Sequence, residues 1–253
     1  MEYDFQRASM LKRIPAWLLD IILLIVLATG LMAGISAVVD MDAHINKIDA
    51  IYATYEKEYN VDFAISQEAY SALTEEQKAN YQAAAEALSK DNEAQKAYQL
   101  ALNLTLVTLS VSILLGFLIL EFLIPLWLKN GQTLGKKVFG VALMRKDGVK
   151  VTPFMMFTRT ILGKYSLETM IPVLLAVAIF FGIMGLEGLI ITGLILLAQV
   201  IVMLATRNKT GIHDLLACTV AVDLSSQMIF DTPEDLLEYN KQLHAEIARE
   251  ADY

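Results

Sequence analysis

Ionised side chains within apolar runs are where this sequence could do chemistry, because a charge held in bilayer hydrocarbon is costly and is kept for a task. Three carboxylates qualify: Asp20, Glu121 and Glu187. Asp20 follows Arg13 by seven residues and Glu121 precedes Leu128 by seven. Each therefore lies about 10 Å in from its end of an apolar helix, at 1.5 Å rise per residue. Two carboxylates at one depth could share a proton or a hard cation, each raising the other's proton affinity. Alternatively each is satisfied separately, by an arginine or a backbone group. Arg13 and Asp20 stand two turns apart on one helix face. Glu187 sits among Gly182, Gly185, Gly188 and Gly193, which reads as a solvated turn residue.

Other chemistries find little support. His44, His213 and His244 are far apart and Cys218 is the single cysteine, so neither a histidine–thiolate metal site nor a disulfide is expected. No Gly-x-Ser-x-Gly or His-Glu-x-x-His is present, so no enzyme and no cofactor are expected. A net charge of −8 argues against a nucleic-acid partner, which needs a basic footprint.

The elements that must position these carboxylates are membrane helices. Of 253 residues, 56% are hydrophobic and 19% charged, and mean hydropathy is +0.49. Ile21–Val39 and Ala97–Leu120 are uncharged runs of 19 and 24 residues, each enough for one span. Met170–Ala205 holds 36 residues with Glu187 near its middle. One helix of that length would measure about 54 Å against about 30 Å of hydrocarbon, so it divides into Met170–Met184 and Leu189–Ala205. Basic flanks set the orientation. Residues 40–96 carry twelve acidic and five basic residues, whereas 129–167 carry eight basic residues and one acidic, Asp147. Short basic loops stay inside. The expectation is an all-α polytopic membrane protein of four spans with both termini cytoplasmic. Its segments are 1–40, 41–99, 100–128, 129–167, 168–206 and 207–253.

Outside the spans, Thr74-Glu75-Glu76-Gln77 has capping-box form and opens a helix expected to run unbroken into the second span. The 41–99 segment then reads as an acidic helical hairpin on the extracytoplasmic side. Asp147-Gly148 between Val141–Arg145 and Val149–Thr152 predicts a β-hairpin, with Thr219–Val222 as a third strand. Pro153–Tyr165 reads as an interfacial amphipathic helix. Pro233 opens an acidic tail helix whose stripe of Leu236, Leu237, Tyr239, Leu243 and Ile247 is expected to pack on the protein itself.

Taken together, Lys12-Arg13-Ile14-Pro15-Ala16 with Asp20, then Gly131-Gln132-Thr133-Leu134-Gly135-Lys136, then Arg207-Asn208-Lys209-Thr210-Gly211-Ile212-His213-Asp214 with Thr219-Val220, resemble the RDD family of bacterial membrane proteins. The likeness covers about 8–40 and 100–224. It implies a multi-pass protein of the bacterial plasma membrane, with Arg13, Asp20 and Asp214 as its named residues. Some members look like sodium, lithium or potassium/proton antiporters, so the resemblance implies ion-coupled transport. On that expectation Asp20 and Glu121 form the ion and proton site, Arg13 and Asp214 pair directly as a gate, and a homodimer completes the pathway. Gly131–Lys137 offers a basic turn for an anion or lipid head group. The alternative is a non-transporting membrane adaptor in which Arg13, Asp20 and Asp214 lock helices together.

Overall fold

The computed structural model describes residues 6–128, 130–206 and 209–251, so Lys129, Arg207 and Asn208 lie outside the described residues. Among the described residues four helices are long and apolar enough to cross a membrane: α1 (Met10–Val38), α5 (Asn92–Trp127), α7 (Pro153–Phe180) and α8 (Leu186–Ala205). The remaining helices are α2 (Met41–Tyr59), α3 (Gln67–Ser71), α4 (Glu75–Lys90), α6 (Leu134–Val138), α9 (Ile212–Leu216) and α10 (Pro233–Ala251). The four-span, all-α architecture expected from hydropathy is the one observed. The chain divides into two compact units, 29–112 and 1–28 with 113–253.

The 29–112 unit owes its small core to aromatic rings. Phe63 contacts Tyr52 and Tyr81 at centroid distances of 5.8 and 5.5 Å, and Tyr70 contacts Tyr81 at 5.0 Å. Thr74 and Gln77 form the reciprocal capping box at the start of α4. The helix does not continue into the second span, however. Asp91 adopts an extended conformation (φ −75°, ψ 112°), and its Oδ1 accepts from the Glu93 N–H at 2.7 Å, starting a new helix. Asp91 competes for the backbone as short carboxylates do, and that local bond outweighs helix continuation.

In the other unit a two-stranded antiparallel sheet pairs β1 (Val141–Arg145) with β2 (Thr219–Asp223), in register Leu143 to Ala221. One face buries Val141, Leu143 and Ala221 with Met156, and the other Ala142, Met144, Val220 and Val222, the alternation that a period of two dictates. The Asp-Gly turn forms, with Arg145 N–H donating to Val149 O at 2.9 Å. Its far arm makes only isolated bridges, Met144 to Lys150 and Val149 to Phe230. β2 takes its other neighbour from the N-terminus instead: Arg7 bridges Val222, and Asp223 N–H donates to Gln6 O.

Two further expectations are corrected. Residues 153–165 are the first half of α7 rather than a separate interfacial helix. The span is the least apolar of the four, with mean hydropathy 1.4 against 2.5 or 2.6, because Arg159, Lys164 and Glu168 face protein. The tail stripe is exposed at Leu237, Leu243 and Ile247; only Tyr239 finds a ring partner, Phe230, at 5.3 Å. Between α7 and α8 the chain turns at Gly182 (φ +68°), and the Gly185 N–H donates to Glu187 Oε1 at 2.9 Å in an exposed first turn.

Two stretches wind as π-helix, Leu118–Leu123 within α5 and Thr158–Met170 within α7. At the α-helical 100° per residue, Arg159 and Glu168 would point about 180° apart. The wider i→i+5 ladder brings Arg159, Gly163, Lys164 and Glu168 towards one face. The two π-wound stretches pack on each other, and Thr160 Oγ1 donates to the Glu121 carbonyl at 2.9 Å. This is the device that gathers the charges.

Candidate functional site

Asp20 is 9% exposed and is held from the Gly-Gln-Thr-x-Gly-Lys segment. Its Oδ2 accepts from Thr133 Oγ1 at 2.5 Å and its Oδ1 from the Gly135 N–H at 2.8 Å. Lys136 Nζ stands 4.0 Å from Oδ2 and donates to Thr133 Oγ1 at 3.2 Å. Each residue of the motif has a local cause. Gly131 takes φ +61°, and a Cβ there would lie 2.9 Å from Leu143 Cβ. Gln132 Nε2 donates to Val141 O at 2.8 Å, tying the turn to β1. Thr133 caps α6. A Cβ at Gly135 would lie 2.2 Å from the Ala16 carbonyl, so only glycine lets α6 press against α1.

Glu121 is 5% exposed and does not share a site with Asp20. Lys164 Nζ donates to its Oε1 at 2.6 Å, and Arg159 Nη1 lies 3.8 Å from its Oε2. Those last two atoms are buried without a hydrogen-bond partner. The expected carboxylate pair is thus replaced by two separately countered carboxylates, because the basic residues after the second span fold back between them. Lys136 feels both, together with Lys164 and Arg159. Burial, then the charge of Lys164, push its ammonium down to about 7 against the pull of Glu121 and Asp20.

Asp214 does not pair with Arg13. Its Oδ1 accepts from Arg159 Nε at 2.8 Å and from Thr219 Oγ1 at 2.9 Å. Among the described residues Arg13 makes no ion pair within 4.0 Å, although it is near enough to feel Asp214 and Arg159. Arg159 comes from α7 wholly buried, 2% exposed, and supplies the direct counter-charge of Asp214 from within the protein. Burial works to raise the Asp214 carboxyl, but Arg159 and then His213 hold it well below the usual carboxylate range. Burial pushes His213 below the ordinary imidazole range, against the pull of Asp214 and Glu168. Its Nδ1 lies 2.7 Å from Glu168 Oε2 and its Nε2 3.5 Å from Asp214 Oδ2, so Nδ1–H donates to Glu168. Gly163 makes this contact feasible, since a Cβ there would lie 2.5 Å from His213 Cβ.

These groups border one cavity of about 580 Å³ whose lining includes Arg13, Asp20, Lys136, Arg159, Glu168 and Asp214. Glu121 is not among its lining residues. Arg159, Lys164 and Glu168 escaped the sequence reading because their span was placed too late, at Met170. The signal present was that Pro153–Phe180 is itself long enough to span. Among the described residues no group of three or more His, Cys, Asp or Glu is arranged to hold a metal ion.

Four apolar helices carrying a buried, charge-matched cluster define a polytopic membrane protein. A sequence model of the RDD family matches residues 7–218, and the chain belongs to that family. No curated protein and no solved structure matches it.

Proposed function

We propose that this RDD-family protein exchanges a monovalent cation for a proton across the bacterial plasma membrane, with both of its termini on the cytoplasmic side. The observation that carries this reading is Asp20: a buried carboxylate in a spanning helix, bordering a cavity, with its nearest cation among the described residues 4.0 Å away rather than in direct contact. A carboxylate with unspent lone pairs suits a hard cation such as sodium, lithium or potassium. Lys136 is the group a cation would replace as counter-charge, and Glu121 is the second carboxylate Lys136 serves. Arg159–Asp214 then holds the scaffold around the cavity, and Arg13 stands at its rim. Four spans make a thin pathway, which a homodimer would complete. Purified protein in liposomes loaded with a pH-sensitive dye tests the proposal. A sodium, lithium or potassium gradient should drive proton movement that protein-free liposomes lack.

One observation favours a second reading, that of a membrane adaptor. The amphipathic tail helix leaves Leu237, Leu243 and Ile247 exposed, as a helix awaiting a partner would. Absence of cation-driven proton movement for all three ions, with the folded protein intact, would favour this reading.

A further inference from the structure

The cavity has a second character that cation exchange does not use. Its side walls are apolar and come from two spanning helices: Ile14 and Trp17 on α1, Val200 and Met203 on α8. Ile14, Trp17 and Val200 are 53%, 58% and 47% exposed, so the groove offers hydrocarbon to its surroundings. Its floor is cationic with unspent donors. The Arg13 guanidinium makes no hydrogen bond or ion pair among the described residues, and Arg159, 2% exposed, keeps Nη1 without a hydrogen-bond partner, 3.8 Å from Glu121 Oε2. Of the acidic groups in the lining, Glu168 is committed to His213 and Asp214 to Arg159 and Thr219, while Asp20, which bonds Thr133 and Gly135, already has Lys136 beside it.

We infer that this groove binds an anionic phospholipid, its phosphate taken by Arg13 at the mouth and its acyl chain laid along Trp17 and Val200. Arginine's planar fork matches two phosphate oxygens at once, and its long stem reaches the head-group level from the end of a spanning helix. A free phosphate would satisfy the guanidinium but leave the apolar walls bare, which is why the lipid is the better fit. A zwitterionic lipid carries its own cation beside the phosphate and gains less from Arg13. The inference stands whether or not the chain moves cations.

The protein carries its own reporter. Its two tryptophans are Trp17 and Trp127, so Trp127→Phe leaves Trp17 in the groove as the sole emitter. The Trp127→Phe protein is placed in vesicles in which either phosphatidylglycerol or phosphatidylcholine is brominated on its acyl chains, and quenching is compared. Brominated phosphatidylglycerol is expected to quench with roughly fivefold higher relative affinity, the advantage of one arginine near an anionic head group. Arg13→Gln should reduce that ratio to near one, and Arg13→Lys should keep part of it. Millimolar inorganic phosphate, at matched ionic strength, should leave it unchanged. Equal quenching by the two lipids with Arg13 intact overturns the inference, with no site variant needed. A preference that survives Arg13→Gln overturns it too. So does one that phosphate abolishes, which would make the groove a site for a free anion.

Discussion

Arg159 Nε donates to Asp214 Oδ1 over 2.8 Å, joining the third spanning helix to the segment after the fourth through a pair exposed by 2% and 3%. Breaking a buried pair by removing one partner leaves a charge uncompensated, at a cost of about 3–5 kcal/mol. Arg159→Ala should therefore destabilise the protein strongly, whereas Arg13→Ala, which removes no ion pair among the described residues, should cost under about 1 kcal/mol. Unfolding of the purified protein by denaturing detergent compares the two directly. Equal losses would mean that Arg13 shares the structural load.

Packing at the Gly-Gln-Thr-x-Gly-Lys turn makes a separate forecast. In Gly135→Ala the new methyl group would meet a backbone carbonyl, Ala16 O at 2.2 Å, which cannot rotate away. The expected cost is about 1–3 kcal/mol, the usual range for overpacking. Gly34→Ala has nothing within 4 Å and gains helix propensity, so its midpoint should stay level or rise. A neutral Gly135→Ala would show that α6 is not pressed on α1.

How much of this was legible in the sequence follows from what each feature depends on. Spans and turns depend on hydropathy and glycine content, and four apolar helices with a break at Gly182 are found, although the third begins at Pro153 rather than Met170 because its charged residues lower its hydropathy. The capping box at Thr74 is local and appears too. The pairing of Arg159 with Asp214 depends on helical winding. At 3.6 residues per turn Arg159, Lys164 and Glu168 scatter around α7, and nothing in their spacing announces a π-wound stretch. Asp20 could be identified as a buried carboxylate, but not its partners, since Thr133 and Gly135 lie more than a hundred residues away. The third β neighbour was misplaced for a related reason: the Asp-Gly turn is local, whereas the pairing of Arg7 with Val222 is set by where α1 begins.

Lys136 gives the exchange reading its pH dependence. Its ammonium titrates near pH 7, so below that value it stays charged and competes with a cation for Asp20. Apparent cation affinity should fall about tenfold for each unit below pH 7 and level off above it, the slope of a single displaced proton. In Lys136→Arg, whose side chain stays charged, binding should weaken and the pH dependence flatten. Titration calorimetry with sodium, lithium and potassium across pH 6–9 reads this. An unchanged profile in the arginine variant would remove Lys136 from the exchange.

Orientation has its own check. In a Cys218→Ser background, Glu187→Cys in the exposed first turn of α8 should react with an impermeant thiol reagent added outside intact cells. Cys218 itself, exposed in the parent protein, should react only after the membrane is opened. If the Glu187→Cys variant reacts only in opened cells, the α7–α8 turn lies on the cytoplasmic side and the four-span orientation is contradicted.

The central claim rests on the charge of Asp20, and Asp20→Asn isolates it. An asparagine keeps an oxygen for the Gly135 N–H, and its amide donates to Thr133 Oγ1 in the place Lys136 Nζ now takes, reversing the direction of the Thr133 bond, so the turn keeps its ties while the charge is lost. The variant is purified, shown to unfold at an unchanged midpoint, and reconstituted beside the parent in liposomes with a pH-sensitive dye inside. The parent should acidify or alkalinise the lumen when a cation gradient is imposed, and Asp20→Asn should match protein-free liposomes. Cation-driven proton movement that continues at the parent's rate in Asp20→Asn would contradict the account.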